Sequence, residues 1–67
     1  MEWIVNTRDG QEVARIKRQD FTDLRYDPEQ PWVLVYKGGR IDRFVSRPAA
    51  KEEAQITWAR CYLKKVS

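Results

Sequence analysis

The side chains best placed to do chemistry in this chain are basic, and they flank two turn dipeptides. Arg8, Arg15 and Lys17 lie around Asp9-Gly10; Lys37 and Arg40 lie around Gly38-Gly39, with the aromatic Phe44 close behind. Guanidinium and ammonium groups two positions apart on a strand project to one side, where they meet phosphates through counterion release and, for arginine, guanine edges. Catalytic sets are harder to build. The chain has no histidine and one cysteine, so neither a Ser-His nor a Cys-His pair can form, and zinc lacks its usual ligands. Gly38-Gly39 is too short for a phosphate-cradling loop and lacks the following Lys-Ser or Lys-Thr. Asp20, Asp23, Asp27 and Glu29 do not follow the EF-hand spacing and read as solvated loop carboxylates. The expected chemistry is binding without catalysis, with no cofactor, no metal and no small-molecule substrate.

Positioning these groups falls to two hairpins. Two-residue loops favour turns with positive φ, which Asp-Gly and Gly-Gly supply. A turn at Asp9-Gly10 sets Thr7 against Glu12, Val5 against Ala14 and Trp3 against Ile16. One face then carries Trp3, Val5, Ala14 and Ile16, and the other carries Glu2, Ile4, Asn6, Arg8, Val13, Arg15 and Lys17. A turn at Gly38-Gly39 sets Tyr36 against Ile41, Leu34 against Arg43 and Trp32 against Val45. Trp32, Leu34, Tyr36, Ile41 and Val45 then share the apolar face, with Arg43 as an intruder. Val33, Val35, Lys37, Arg40, Asp42 and Phe44 take the other. A slip of one residue would invert either assignment.

The segment from about Pro48 to Lys65 lacks glycine and reads as one helix laid across the apolar face. Proline suits a first turn, and Glu52 and Glu53 near the start with Lys64 and Lys65 near the end suit the helix dipole. Ala50, Ala54, Thr57, Trp58, Cys61 and Tyr62 form one stripe; Ile56, Ala59 and Leu63 form a second, smaller one. Residues 18–31 read as a loop punctuated by Asp27-Pro28 and Gln30-Pro31, holding Phe21 or Leu24 against the core. The expected architecture is α+β: four antiparallel strands in two hairpins with one C-terminal helix, a single small domain over 1–67. Trp3, Trp32 and Trp58 are expected to meet in its core. Cys61 has no partner for an internal disulfide and no stretch reaches the length of a membrane span, so a soluble cytoplasmic setting without membrane contact is expected.

Two partner classes follow. Thirteen Lys and Arg against ten Asp and Glu give a net charge of +3. Their concentration on the outer sheet face, as Arg8, Arg15, Lys17, Lys37 and Arg40 beside Phe44, points to nucleic acid. The bland alternative is a solvated face that keeps the edge strands soluble. The stretch "WVLVYKGGRIDRFVSRPAAKEEAQITWARCYL" resembles the strand–turn–strand–helix pattern of arm-type DNA-binding domains at the N-termini of phage integrases. It is also similar to small uncharacterised bacterial sheet-plus-helix proteins. The integrase resemblance implies a sheet docked in the DNA major groove, with Lys37, Arg40 and Arg43 as contacts; Arg43 lies on the apolar face of the register above and conflicts with that. The rival reading is a protein-interaction module, a small regulator or inhibitor from a mobile element. It would act through Ile56, Ala59 and Leu63 on the helix or Val33, Val35 and Phe44 on the outer face, and either group could make a homodimer.

Overall fold

The computed structural model describes residues 1–66. The strands are β1 (Glu2–Asn6), β2 (Glu12–Arg18), β3 (Trp32–Tyr36) and β4 (Ile41–Phe44), followed by helix α1 (Arg47–Thr57) and strand β5 (Tyr62–Lys65). All five strands join one antiparallel sheet in the order β4-β3-β2-β1-β5. The α+β class with one helix over an antiparallel sheet stands; the strand count does not, because β5 occupies what reads in sequence as the end of the helix.

Both hairpin loops are one residue longer than a two-residue turn. Gly10 N–H donates to Thr7 O and Thr7 N–H to Gln11 O, each at 2.9 Å; Gly39 N–H donates to Tyr36 O at 2.9 Å and Tyr36 N–H to Arg40 O at 2.8 Å. Only the last residue of each loop has positive φ, +88° at Gly10 and +98° at Gly39. This is the three-residue loop in which a type I turn ends on a left-handed glycine. A two-residue type I′ turn would have needed Asp9 and Gly38 at positive φ as well.

The hairpins absorb the extra residue differently. In the first, a bulge at Val13 follows the Asn6–Glu12 pair, and beyond it Val5 faces Ala14 and Trp3 faces Ile16 as expected. Val13 packs toward the core, and Glu12 joins the outer face beside Asn6. In the second there is no bulge, so the slip persists along β4. Leu34 faces Asp42, Trp32 faces Phe44, and Val33 faces Arg43. Phe44 and Asp42 therefore lie on the helix side, while Ile41 and Arg43 lie on the outer side. Val45 follows β4 and is exposed.

Helix α1 covers the inner face over β2, β3 and β4. Ser46 caps it, its Oγ accepting from Ala49 N–H at 3.3 Å, and Pro48 stands in the first turn. Ala50 and Ala54, one turn apart, are fully buried against Val5, Ala14, Ile16 and Leu34. Their small side chains let the helix backbone approach the sheet closely. The Glu-first, Lys-last dipole argument does not apply, since α1 has no acidic residue in its first turn and no basic residue in its last.

The helix stops where an aromatic ring is better used elsewhere. Trp58 turns to extended backbone (φ −125°, ψ 96°) and its ring lies 5.4 Å from that of Tyr36. Arg60 then takes φ +61°, and the chain runs back to pair β5 with β1. Docking β5 satisfies the edge that β1 would otherwise leave open. The three tryptophans do not meet: Trp3 packs on Trp32 at 5.8 Å, and Trp58 pairs with Tyr36. Each aromatic pair carries an arginine, Arg47 over Trp3 at 4.8 Å and Arg40 over Tyr36 at 4.9 Å.

Candidate nucleic-acid interface

With α1 on the inner face, the opposite face of the sheet is left uncovered by the helix and carries basic side chains from β2, β4 and β5. Its composition follows from the pairing. β5 contributes Tyr62 and Lys64, opposite Asn6 and Ile4; β2 contributes Glu12, Arg15 and Lys17; β3 contributes Val33 and Val35; β4 contributes Ile41 and Arg43. Val33 is 2 % exposed although it faces away from the helix, lying between its register partners Lys17 and Arg43. Long basic side chains shelter apolar surface with their stems while their charges stay in water.

Arg15, at the middle of this face, is already engaged. Its Nη1 donates to Glu2 Oε2 at 2.5 Å, and its Nε and Nη2 donate to Glu12 at 3.0 and 3.2 Å. The hydrogen bond from Arg15 is the largest cause holding the Glu12 carboxyl below its ordinary value, and Lys37 helps from farther away. Arg15 in turn is pushed further into its charged range, first by Glu12 and then by Glu2. Glu12 reaches this position only because of the Val13 bulge.

The other expected contacts divide. Lys17 lies on the outer face with its Nζ 4.0 Å from Glu2. Lys37 is exposed just past β3, its backbone N–H donating to Val13 O. Arg8 is exposed at the tip of the first loop. Arg40 lies on the helix side instead: it sits over Tyr36 and donates to Asp42 at 3.1 Å, and Tyr36 Oη donates to the same carboxylate at 2.8 Å. Burial, followed by Asp42, raises the Tyr36 phenol above its usual value. Phe44 is also on the helix side, packed at the core margin.

Arg43, the intruder of the sequence register, belongs to the outer face and donates to Gln19 Oε1 at 2.6 Å. A charged residue on an otherwise apolar strand face was the one signal that the register was off by a residue. Lys64 and Tyr62 were missed because their segment reads as helix. The signal available was Tyr62-Leu63 directly after Cys61, a β-favouring run beyond the β-branched Ile56 and Thr57.

The expected interface stripe is dispersed. Ile56 is 72 % exposed on α1, Ala59 lies in the turn after it, and Leu63 on β5 packs toward the core. The middle segment also differs from expectation. Asp20 holds a tight turn by accepting from the Thr22 N–H and hydroxyl, while Asp20 N–H donates to Asp23 Oδ2. The bonds from Thr22 lower the Asp20 pKa. Pro31 is buried and Tyr26 half-buried, whereas Phe21 is 87 % exposed and Leu24 fully so.

Among the described residues no pocket opens, no cluster of candidate metal ligands forms, and no helix is long and apolar enough to cross a membrane. No family model, curated protein or solved structure matches the chain.

Proposed function

We propose that this protein is a non-enzymatic binding protein that takes a nucleic-acid backbone across the outer face of its sheet. The observation carrying this reading is the register of the outer face, which sets Lys64, Lys17 and Arg43 on three different strands with Lys37 at the end of a fourth. The carboxylates sharing that face, Glu2 and Glu12, are bound first to Arg15, with Lys17 4.0 Å from Glu2, so among the described residues Lys64, Arg43 and Lys37 are left without an ion pair. Tyr62, 59 % exposed in the same layer, offers a ring on which a base can stack.

Sheet width favours a single strand. The outermost strands, β4 and β5, are separated by four strand spacings, roughly 19 Å. A B-DNA major groove is about 12 Å wide and admits a two-stranded ribbon. The outer face is therefore better suited to an unpaired strand laid over it than to insertion. The contact set implied by the integrase resemblance is also split, with Lys37 and Arg43 on the outer side and Arg40 on the inner.

Fluorescence anisotropy with a labelled single strand and a duplex, titrated from low to physiological salt, tests the reading. Parent protein should prefer the single strand, and affinity should fall with salt. Lys17→Ala with Lys64→Ala should weaken binding about tenfold at low salt and flatten the log–log salt slope by about 0.7 per lost phosphate contact. Equal affinity for variant and parent would remove this face from the reading. No binding at low salt would remove the reading itself.

A protein partner is the second reading, and it rests on Phe21 and Leu24. Large apolar side chains standing almost wholly in water are expected at a docking surface.

A further inference from the structure

The segment bearing Phe21 and Leu24 differs in charge from the rest of the molecule. Between residues 20 and 30 it carries Asp20, Asp23, Asp27 and Glu29 against Arg25, a charge of −3 in a chain whose total is +3, leaving +6 elsewhere. Its backbone is held by its own turns, through main-chain bonds and aspartate side chains. Asp23 N–H donates to Asp20 O at 3.0 Å, Tyr26 N–H to Asp23 O at 3.1 Å, and Glu29 N–H to Asp27 Oδ1 at 2.9 Å. Gln19 N–H donates to Pro31 O at 2.8 Å and ties the root of the loop shut. Phe21 and Leu24 are thus presented on an ordered acidic loop, and docking them costs little ordering entropy.

A surface complementary to that loop exists on the same chain. The outer sheet face intersperses the apolar Ile4, Val35 and Ile41 with Lys17, Arg43 and Lys64, and its two carboxylates, Glu2 and Glu12, are engaged by Arg15. Ile41 is exposed, and Ile4 and Val35 are half-buried with nothing of the helix over them. Apolar knobs ringed by carboxylates match apolar patches ringed by ammonium and guanidinium groups, the arrangement that sets orientation and suppresses wrong partners. The loop leaves the sheet at the end where Lys17 and Arg43 stand, with Gln19 bonded to Arg43.

We infer that the acidic loop docks on the outer sheet face of a second copy of this chain, burying Phe21 and Leu24 against Ile4, Val35 and Ile41. In a two-fold pair each loop covers the other copy's face, a closed isologous contact. This inference goes beyond nucleic-acid binding and constrains it. The dimer and a bound strand occupy the same face, so self-association and nucleic-acid binding exclude each other.

Sedimentation equilibrium of the full chain over a wide concentration range, at low and high salt, tests it. The parent should dimerise, more weakly at high salt. Phe21→Ser with Leu24→Ser alters only exposed side chains and should shift the dissociation constant at least tenfold towards monomer. Lys17→Glu with Lys64→Glu should do the same from the other side. Mixing the two variants should restore a heterodimer, because one intact loop then meets one intact face. Circular dichroism melts of each variant separate lost docking from lost folding; should the Lys17/Lys64 variant unfold, Ile41→Ser, an exposed position on the face, replaces it. A parent that stays monomeric at every concentration overturns the inference. So does a dimer that both variants leave unchanged.

Discussion

Leu34 stands opposite Asp42 across the β3–β4 ladder, and this one pairing decides which side chains of β4 face the helix. Trp32 then meets Phe44 and Val33 meets Arg43. Phe44→Ala should therefore lower stability by about 2 kcal/mol, below the 3–5 typical of a fully buried ring. Arg43→Ala should cost less than about 1 kcal/mol, the scale of one partly exposed hydrogen bond. Chemical denaturation of the two variants checks the register directly, since the slipped alternative reverses their order.

The loop geometry makes its own test. Gly39 has φ +98° and open space where a Cβ would sit, so Gly39→Ala meets backbone strain alone. It should cost about 1–2 kcal/mol. Gly38→Ala, at a position without positive φ, should be close to neutral. Equal costs at both positions would indicate a two-residue turn with two left-handed residues.

Arg60 adopts φ +61° at the step from helix to β5, a conformation that an L-residue bearing a Cβ enters only with strain. Arg60→Gly should stabilise the protein by about 0.5–1 kcal/mol, the relieved strain less the extra freedom glycine gives the unfolded chain. A higher midpoint in urea is the expected reading; a lower one would mean that Arg60 makes up the strain through its side chain.

Close approach of helix and sheet rests on Ala50 and Ala54, both fully buried. Ala54→Leu should cost about 1–3 kcal/mol, because a close-packed interior resists added methylenes. Leu34→Ala, in the same layer, should cost about 2–5 kcal/mol through the cavity it leaves. If Ala54→Leu were neutral, the helix would have to sit farther from the sheet.

The Glu12–Arg15 pair links stability to pH. Glu12 is held below its reference value of 4.5 by the hydrogen bond from Arg15, and Asp20 below 3.8 by the bonds from Thr22. Both folded-state values are depressed, so the contribution of each is fully present above its reference value and fades as pH falls through its folded one. Stability should therefore decline below about pH 4.5, and Glu12→Gln should shallow that decline. At neutral pH the same substitution releases part of Arg15 and should tighten nucleic-acid binding about two- to fivefold at low salt. An unchanged affinity would place Arg15 outside the contact surface.

Sequence alone determined the parts whose physics is local. Alternation in Trp3–Val5 and Ala14–Ile16 assigned the first hairpin's core face, the two glycine-bearing turns located both loops, and Pro48 marked the start of a helix whose buried alanines repeat at four-residue spacing. Everything that depended on a distant partner was decided by tertiary structure. Whether an extra loop residue is absorbed depends on a bulge at Val13 in one hairpin and its absence in the other, and local turn chemistry does not distinguish those outcomes. Whether 62–65 is helix or strand depends on the open edge of β1, which lies more than fifty residues back along the chain. The basic residues were legible as residues; their faces were not. A one-residue slip moved Arg40 and Phe44 inward and Arg43 outward, and a bulge brought Glu12 to Arg15, because the side-chain period of a strand is two and every shift of one exchanges the faces.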